Sequence, residues 1–332
     1  MSEHHDPRPV LCAVDDSPGA TAAAGVAGAL AVRLGARLVL VHVSADPTPG
    51  ARARADQLLG AIGASAPDGV EVRARLDYGP VAARLVQAAD EEGAGLLVVG
   101  ARGRGPLTRA VLGSVSVEVT ARARCPVCIV PPTDEDERPR ARRLEGPVLC
   151  GIDGSDGAVV AARYTRVLAA ALKTAVRLGH VLPADARAAT PTSTGLTPLS
   201  FELVLEHEQR HALRLLDRVR RTADIPREEV SLCLARGEAA EGLNAIADQE
   251  GAGLIVVASR GRGPIHSALL GSVAATIAAT GRRPTVVLSP ADGQRPRWPI
   301  PLQDPKEARD DPHLGRRRPS RRARRPGRGT RL

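Results

Sequence analysis

Short, nearly continuous apolar runs recur along the chain, separated by longer Ala- and Leu-rich stretches of helical length. The first runs are residues 10–14, 38–43, 70–76, 96–99 and 127–130. Most are β-branched and close to unbroken, as expected of strands buried on both faces. Between them lie helical stretches at 17–34, 51–64, 81–92 and 114–122. The pattern returns in runs at 148–152, 175–181, 230–234, 254–257 and 286–288. Strand–helix alternation predicts parallel strands with right-handed crossovers, an α/β doubly wound sheet.

The return is an internal repeat. VGARGRGPLTRAVLGSV at 99–115 and VASRGRGPIHSALLGSV at 257–273 share 11 of 17 positions at an offset of 158. VLCAVDDS at 10–17 and VLCGIDGS at 148–155 match at an offset of 138, and a Pro- and Thr-rich stretch near 183–200 can hold the difference. The predicted organisation is one copy at 9–131, a charged linker at 132–145, a second copy at 146–290, and an Arg/Pro-rich tail at 291–332 expected to be disordered.

Composition changes this picture little. Apolar residues make up 43% and aromatics 1%, so the core must be built from Ala, Val, Leu and Ile. The net charge of +9 belongs to the tail: residues 316–332 carry nine Arg and no acid, leaving 37 basic against 37 acidic residues elsewhere. That tail could meet nucleic-acid phosphates or an anionic surface, but it lacks aromatics for stacking. Five cysteines do not make a disulfide scaffold. The N-terminus lacks the apolar stretch of a signal peptide, and no run is long enough to span a bilayer. A cytoplasmic protein without membrane attachment is expected.

Ligands in such sheets bind beyond the carboxyl ends of the strands. Three segments of the first copy fall there: Asp15 to Ser17, Val43-Ser44, and a loop carrying Gly100, Gly103, Gly105 and Gly113 before Ser114 opens a helix. Glycines allow tight turns and close backbone approach. A helix N-terminus favours a phosphate, and Arg102 and Arg104 could add charge. Taken alone, the loop reads equally well as a common βα turn with Ser114 as an N-cap. It has no Gly-Lys-Ser/Thr and is neither a Walker loop nor a dinucleotide fingerprint.

Gly100-x2-Gly103-x9-Gly113-Ser114 resembles the nucleotide loop of the ATP-binding branch of the universal stress protein family. VDDS at 14–17, LVHV at 40–43 and RCPVCIV at 124–130 resemble other segments of that family, and the likeness runs through both copies. The resemblance implies two tandem five-stranded parallel sheets of order 3-2-1-4-5, of the adenine nucleotide alpha hydrolase-like kind, paired through their last strands. It also implies ATP as ligand, with Mg²⁺. Asp15 would lie near the ribose or metal, and the Val43 backbone would meet the adenine. Gly100, Arg102, Gly103, Gly113, Ser114, Val115 and Ser116 would line the ribose and phosphates. In the second copy Asp153, Val181, Gly261, Gly271 and Ser272 match, while Ala258 replaces Gly100. A Cβ there could exclude the ligand, and a positive φ would add about 1–2 kcal/mol of strain. Nucleotide is therefore expected mainly in the first copy.

Three other signals point to different chemistry. His207-Glu208-x2-His211 matches a metalloprotease zinc pattern. The apolar stripe of its helix, at Leu205, Ala212, Leu216, Val219 and Ala223, places both histidines towards solvent. Cys125-Pro126-Val127-Cys128 is a CxxC that enters a strand, whereas redox pairs open a helix. His42 and His180 end the second strand of each copy, where bonding to a neighbouring loop is the simpler role. The expected function is a nucleotide-binding stress regulator, not a dedicated enzyme, with slow ATP hydrolysis at most. The alternatives are a dimerising interaction scaffold and a zinc-dependent hydrolase. The copies can pair within one chain, or two chains can associate.

Overall fold

The computed structural model describes residues 7–103, 111–132, 144–184, 198–259 and 270–289. Its first half runs β1 (Val10–Ala13), α1 (Pro18–Leu34), β2 (Leu38–Ser44), α2 (Pro49–Ala64), β3 (Val72–Tyr78), α3 (Val81–Glu91), β4 (Leu96–Gly100), α4 (Ser114–Arg122), β5 (Val127–Val130). The second runs β6 (Val148–Gly151), α5 (Asp156–Leu172), β7 (Val176–Leu182), α6 (Pro198–Thr222), β8 (Val230–Arg236), α7 (Ala239–Gln249), β9 (Leu254–Ala258), α8 (Ser272–Thr280), β10 (Thr285–Leu288). Arg104, Gly105, Gly261, most of the linker, most of the insertion near 183–200 and the basic tail lie outside the described residues.

Local chemistry sets the helix ends. Ser17 and Ser155 cap α1 and α5 by accepting from the third residue on, Ala20 and Ala158. Pro18 follows Ser17 at the first helical turn, where its missing N–H costs nothing. Gly35 ends α1 in the left-handed conformation at φ 62°. Lys173 does the same for α5 at φ 53°, a conformation costing a non-Gly residue about 1–2 kcal/mol.

All ten strands among the described residues form one sheet, in the order β3-β2-β1-β4-β5-β10-β9-β6-β7-β8. Each half therefore has the 3-2-1-4-5 order. Neighbours are parallel except at the centre, where β5 pairs β10 antiparallel with Cys128 opposite Val286. The pairing of the halves is thus within the chain. It removes two edges that would otherwise expose unpaired backbone.

The register carries one row across the junction: Cys12, Val98, Cys128, Val286, Val256 and Cys150 are successive partners on one face. All six belong to a core cluster that also holds α1 and α5 residues, including the fully buried Tyr164. A second cluster covers the other face of both halves.

Expected and observed strands differ most at the outer edge. The apolar run predicted β3 at 70–76, but β3 continues to Asp77 and Tyr78, paired with Val43 and Ser44. An edge strand is only half-buried, so its end need not be apolar.

Candidate functional site

A cavity of about 970 Å³ opens beyond the carboxyl ends of β1, β2 and β4. Its size suits a small-molecule ligand. All nine residues singled out in the first copy line it: Asp15, Val43, Gly100, Arg102, Gly103, Gly113, Ser114, Val115 and Ser116. They come from strand ends, loops and the first turn of α4, which the parallel sheet gathers at one end.

Asp15 is built into the turn that starts α1. The Ser17 N–H and hydroxyl donate to its Oδ1 at 3.0 and 2.5 Å, and Oδ2 faces Gly103, 3.3 Å from where a Cβ would stand. Asp153 and Ser155 repeat the turn in the second half at 2.9 and 2.6 Å.

The glycine loop is closed at its base. Ala101 N–H donates to Val130 O at 2.7 Å, and Gly113 N–H to Ala101 O at 2.9 Å. Gly113 is the N-cap of α4 with no side-chain cap bond, and Ser114 is the first helical residue. Ser114 therefore does not cap the helix, and the first turn of α4 faces the cavity. Ser116 is buried, and its hydroxyl donates to Gly100 O at 2.7 Å. It shapes the loop and offers a ligand only an acceptor.

Gly100 is not at positive φ. The strain expected of an alanine there is absent. What requires glycine is close approach: a Cβ would lie 3.1 Å from the carbonyl carbon and oxygen of Gly19. The second copy departs at two positions, not one, because Ala274 stands where the first copy has Ser116. Carrying the 158-residue offset one position further reveals it.

Arg102 lines the cavity, and two of its guanidinium nitrogens are bonded elsewhere. Its Nε donates to Val111 O at 3.3 Å and its Nη2 to Ala279 O, near the end of α8, at 3.2 Å. The expected role of this guanidinium as free charge for phosphates is thereby reduced. Arg54 and Gln57 on α2, with Asp46, complete the far wall. Sequence reading missed these three, since polar residues on a helix face or in an exposed loop carry no signal. The N–H and hydroxyl of Thr48 hold the Asp46 carboxyl below the usual carboxylate range.

In the second half, Gly271 and Ser272 open α8 as Gly113 and Ser114 open α4. Val181 packs against Gly242 of α7, so closely that a Cβ on that glycine would come within 2.6 Å. The first copy has Arg84 in its place.

The other candidates resolve by geometry. His207 and His211 are exposed on α6, whereas Glu208 pairs with Arg236 at 2.9 Å. The three do not converge on one point. Cys125 and Cys128 are buried, and burial pushes the Cys128 thiol up to about 12. His42 Nδ1 lies 2.8 Å from Val14 O, and His180 Nδ1 2.6 Å from Ile152 O. A carbonyl only accepts, so Nδ1 carries the proton in both.

A doubly wound sheet in each half, with a glycine-rich segment leading into a helix that has no side-chain cap, defines an α/β class with a cavity beyond the carboxyl ends of its strands. The model of the Universal stress protein family matches residues 7–131 and again 146–289, and the chain belongs to that family. Universal stress protein Rv2005c of Mycobacterium tuberculosis is 32% identical over 219 residues, covering 66% of this chain and 69% of that protein. Two solved structures share the fold. A universal stress protein from Archaeoglobus fulgidus is 17% identical with a TM-score of 0.57, covering 86% of this chain and 99% of its own. The functionally unknown protein PA1789 from Pseudomonas aeruginosa is 18% identical with a TM-score of 0.56, covering 86% and 93%. No helix among the described residues is long and apolar enough to cross a membrane.

Proposed function

We propose that the first half binds an adenine nucleotide, ATP with Mg²⁺, and that occupancy regulates a cytoplasmic stress protein. One observation carries this reading: nine residues chosen from sequence line a single cavity against the first turn of α4. Anionic groups are favoured there by the helix N–H groups and dipole. The second half keeps Asp153, Val181, Gly271 and Ser272 but has Ala258 and Ala274, so its affinity is weaker or nil. Asp15 is engaged by Ser17, and Thr48 holds the Asp46 carboxyl below the usual carboxylate range, which leaves Asp46 a poor base. Turnover is at most slow hydrolysis.

Calorimetry of the full chain with ATP and Mg²⁺ tests this, beside Gly113→Asp, which sets a negative charge at the N-terminus of α4. One micromolar site per chain, lost in the variant, is expected. An intact fold that binds no nucleotide would overturn the reading in favour of an interaction scaffold.

A further inference from the structure

Three hydroxyls form a ladder from the second half into the glycine loop of the first. Ser289, just past β10, donates to Thr120 O on α4 at 2.9 Å. Thr120 donates to Ser116 O at 2.6 Å, and Ser116 to Gly100 O at 2.7 Å. Thr120 and Ser116 are buried, so the bond between them is shielded from water, and the bonds at either end are partly so.

The ladder is one-sided. At the offset of 158, Ser116 becomes Ala274, Thr120 becomes Ala278, and Ser289 itself stands where the first copy has Pro131. The second half lacks the two rungs and supplies the anchor. Ser289 also lies 3.2 Å from Ser259 Oγ, where the first copy has Ala101. With its single proton given to Thr120 O, Ser289 takes part in this second contact as an acceptor.

A separate contact reaches the same loop. Arg102 joins the loop's entry to its exit at Val111 and also holds Ala279 O of α8. Carbonyls at a helix C-terminus carry partial negative charge, so a guanidinium suits them.

From these contacts we infer that the second half is a support for the first half's site: Ser289 and the α8 carboxyl end hold the two described ends of the glycine loop, at Gly100 to Arg102 and at Val111 to Ser116, in place. Ser289 and Thr120 are positioning residues, since neither lines the cavity. For its effect on a ligand, this rests on the nucleotide reading above.

Full-length Ser289→Ala and Thr120→Val test it with two readouts. Calorimetry with ATP and Mg²⁺ should show affinity falling about threefold to tenfold in each, the effect of one lost hydrogen bond. Hydrogen exchange, with or without nucleotide, should be faster at the amides of residues 111–116 than in the unaltered chain. If the unaltered chain binds ATP and both variants match it in affinity and exchange, the support is overturned and the nucleotide reading stands. If the unaltered chain binds no ATP, the nucleotide reading fails. Exchange then decides the support alone: faster loop amides uphold it, and unchanged ones overturn it.

Discussion

The hydroxyl of Ser116 donates to the carbonyl of Gly100 at 2.7 Å, and the second copy has alanine at both positions. This bond ties the first turn of α4 to the end of β4. Ser116→Ala would leave a part-buried carbonyl without that donor, costing about 1 kcal/mol of stability. ATP affinity should fall with it, by roughly threefold to tenfold. Thermal unfolding and calorimetry on one preparation read both effects.

Gly100→Ala is expected to act through crowding alone. The added Cβ would sit 3.1 Å from the Gly19 backbone, which must yield by a few tenths of an ångström. Gly19 opens α1 beside Ser17, so the turn that holds Asp15 moves too. Weaker ATP binding with a small change in melting temperature should result. The reverse change, Ala258→Gly, should not create a site in the second half, because Ala274 still lacks the hydroxyl. A second calorimetric site in that variant would contradict this.

The buried thiols predict alkaline instability. Burial pushes Cys128 and Cys150 up to about 12 from an ordinary value of 9.0. An unfolded thiol ionises above pH 9 while the folded one stays protonated, so the unfolded state binds fewer protons there. Stability should be fully present below pH 9 and decline as pH rises towards 12. Denaturant midpoints measured between pH 8 and 11 should fall, with a shallower slope in a Cys128→Ala, Cys150→Ala double variant. A thiol reagent at neutral pH should label Cys233, which is partly exposed, before the four buried cysteines.

Glu208 and His207 should behave oppositely despite their shared motif. Arg236, whose side chain is 13% exposed, relies on Glu208 at 2.9 Å. Glu208→Gln leaves that charge poorly compensated and should lower the melting temperature by several degrees. His207→Ala, on the exposed face of α6, should leave it unchanged. Elemental analysis should find no stoichiometric zinc in the unaltered protein. Zinc lost on His207→Ala would revive the hydrolase reading.

Much of the molecule was legible in the sequence. The repeat offset and the alternation of apolar runs gave a doubly wound sheet in each copy, because buried parallel strands must be apolar and their crossovers helical, while the strand order came from the family resemblance. Glycine spacing marked the loop, because only glycine lets backbones approach as Gly100 approaches Gly19. The ends of the edge strand β3 were blurred, since half-burial tolerates Asp77 and Tyr78.

Only the tertiary structure decided where donors point. Arg102 and Ala279 are 177 residues apart, and Ser289 and Thr120 are 169 apart. They meet because β5 and β10 pair antiparallel, which turns the carboxyl end of each half's sheet towards the other half's last helix. A side-chain hydrogen bond needs its partner within about 3 Å and well aligned, and local sequence cannot specify that across two repeats so far apart in the chain. The same holds for Arg54 and Gln57, polar residues on a helix whose role at the cavity wall depends on how α2 lies against β2.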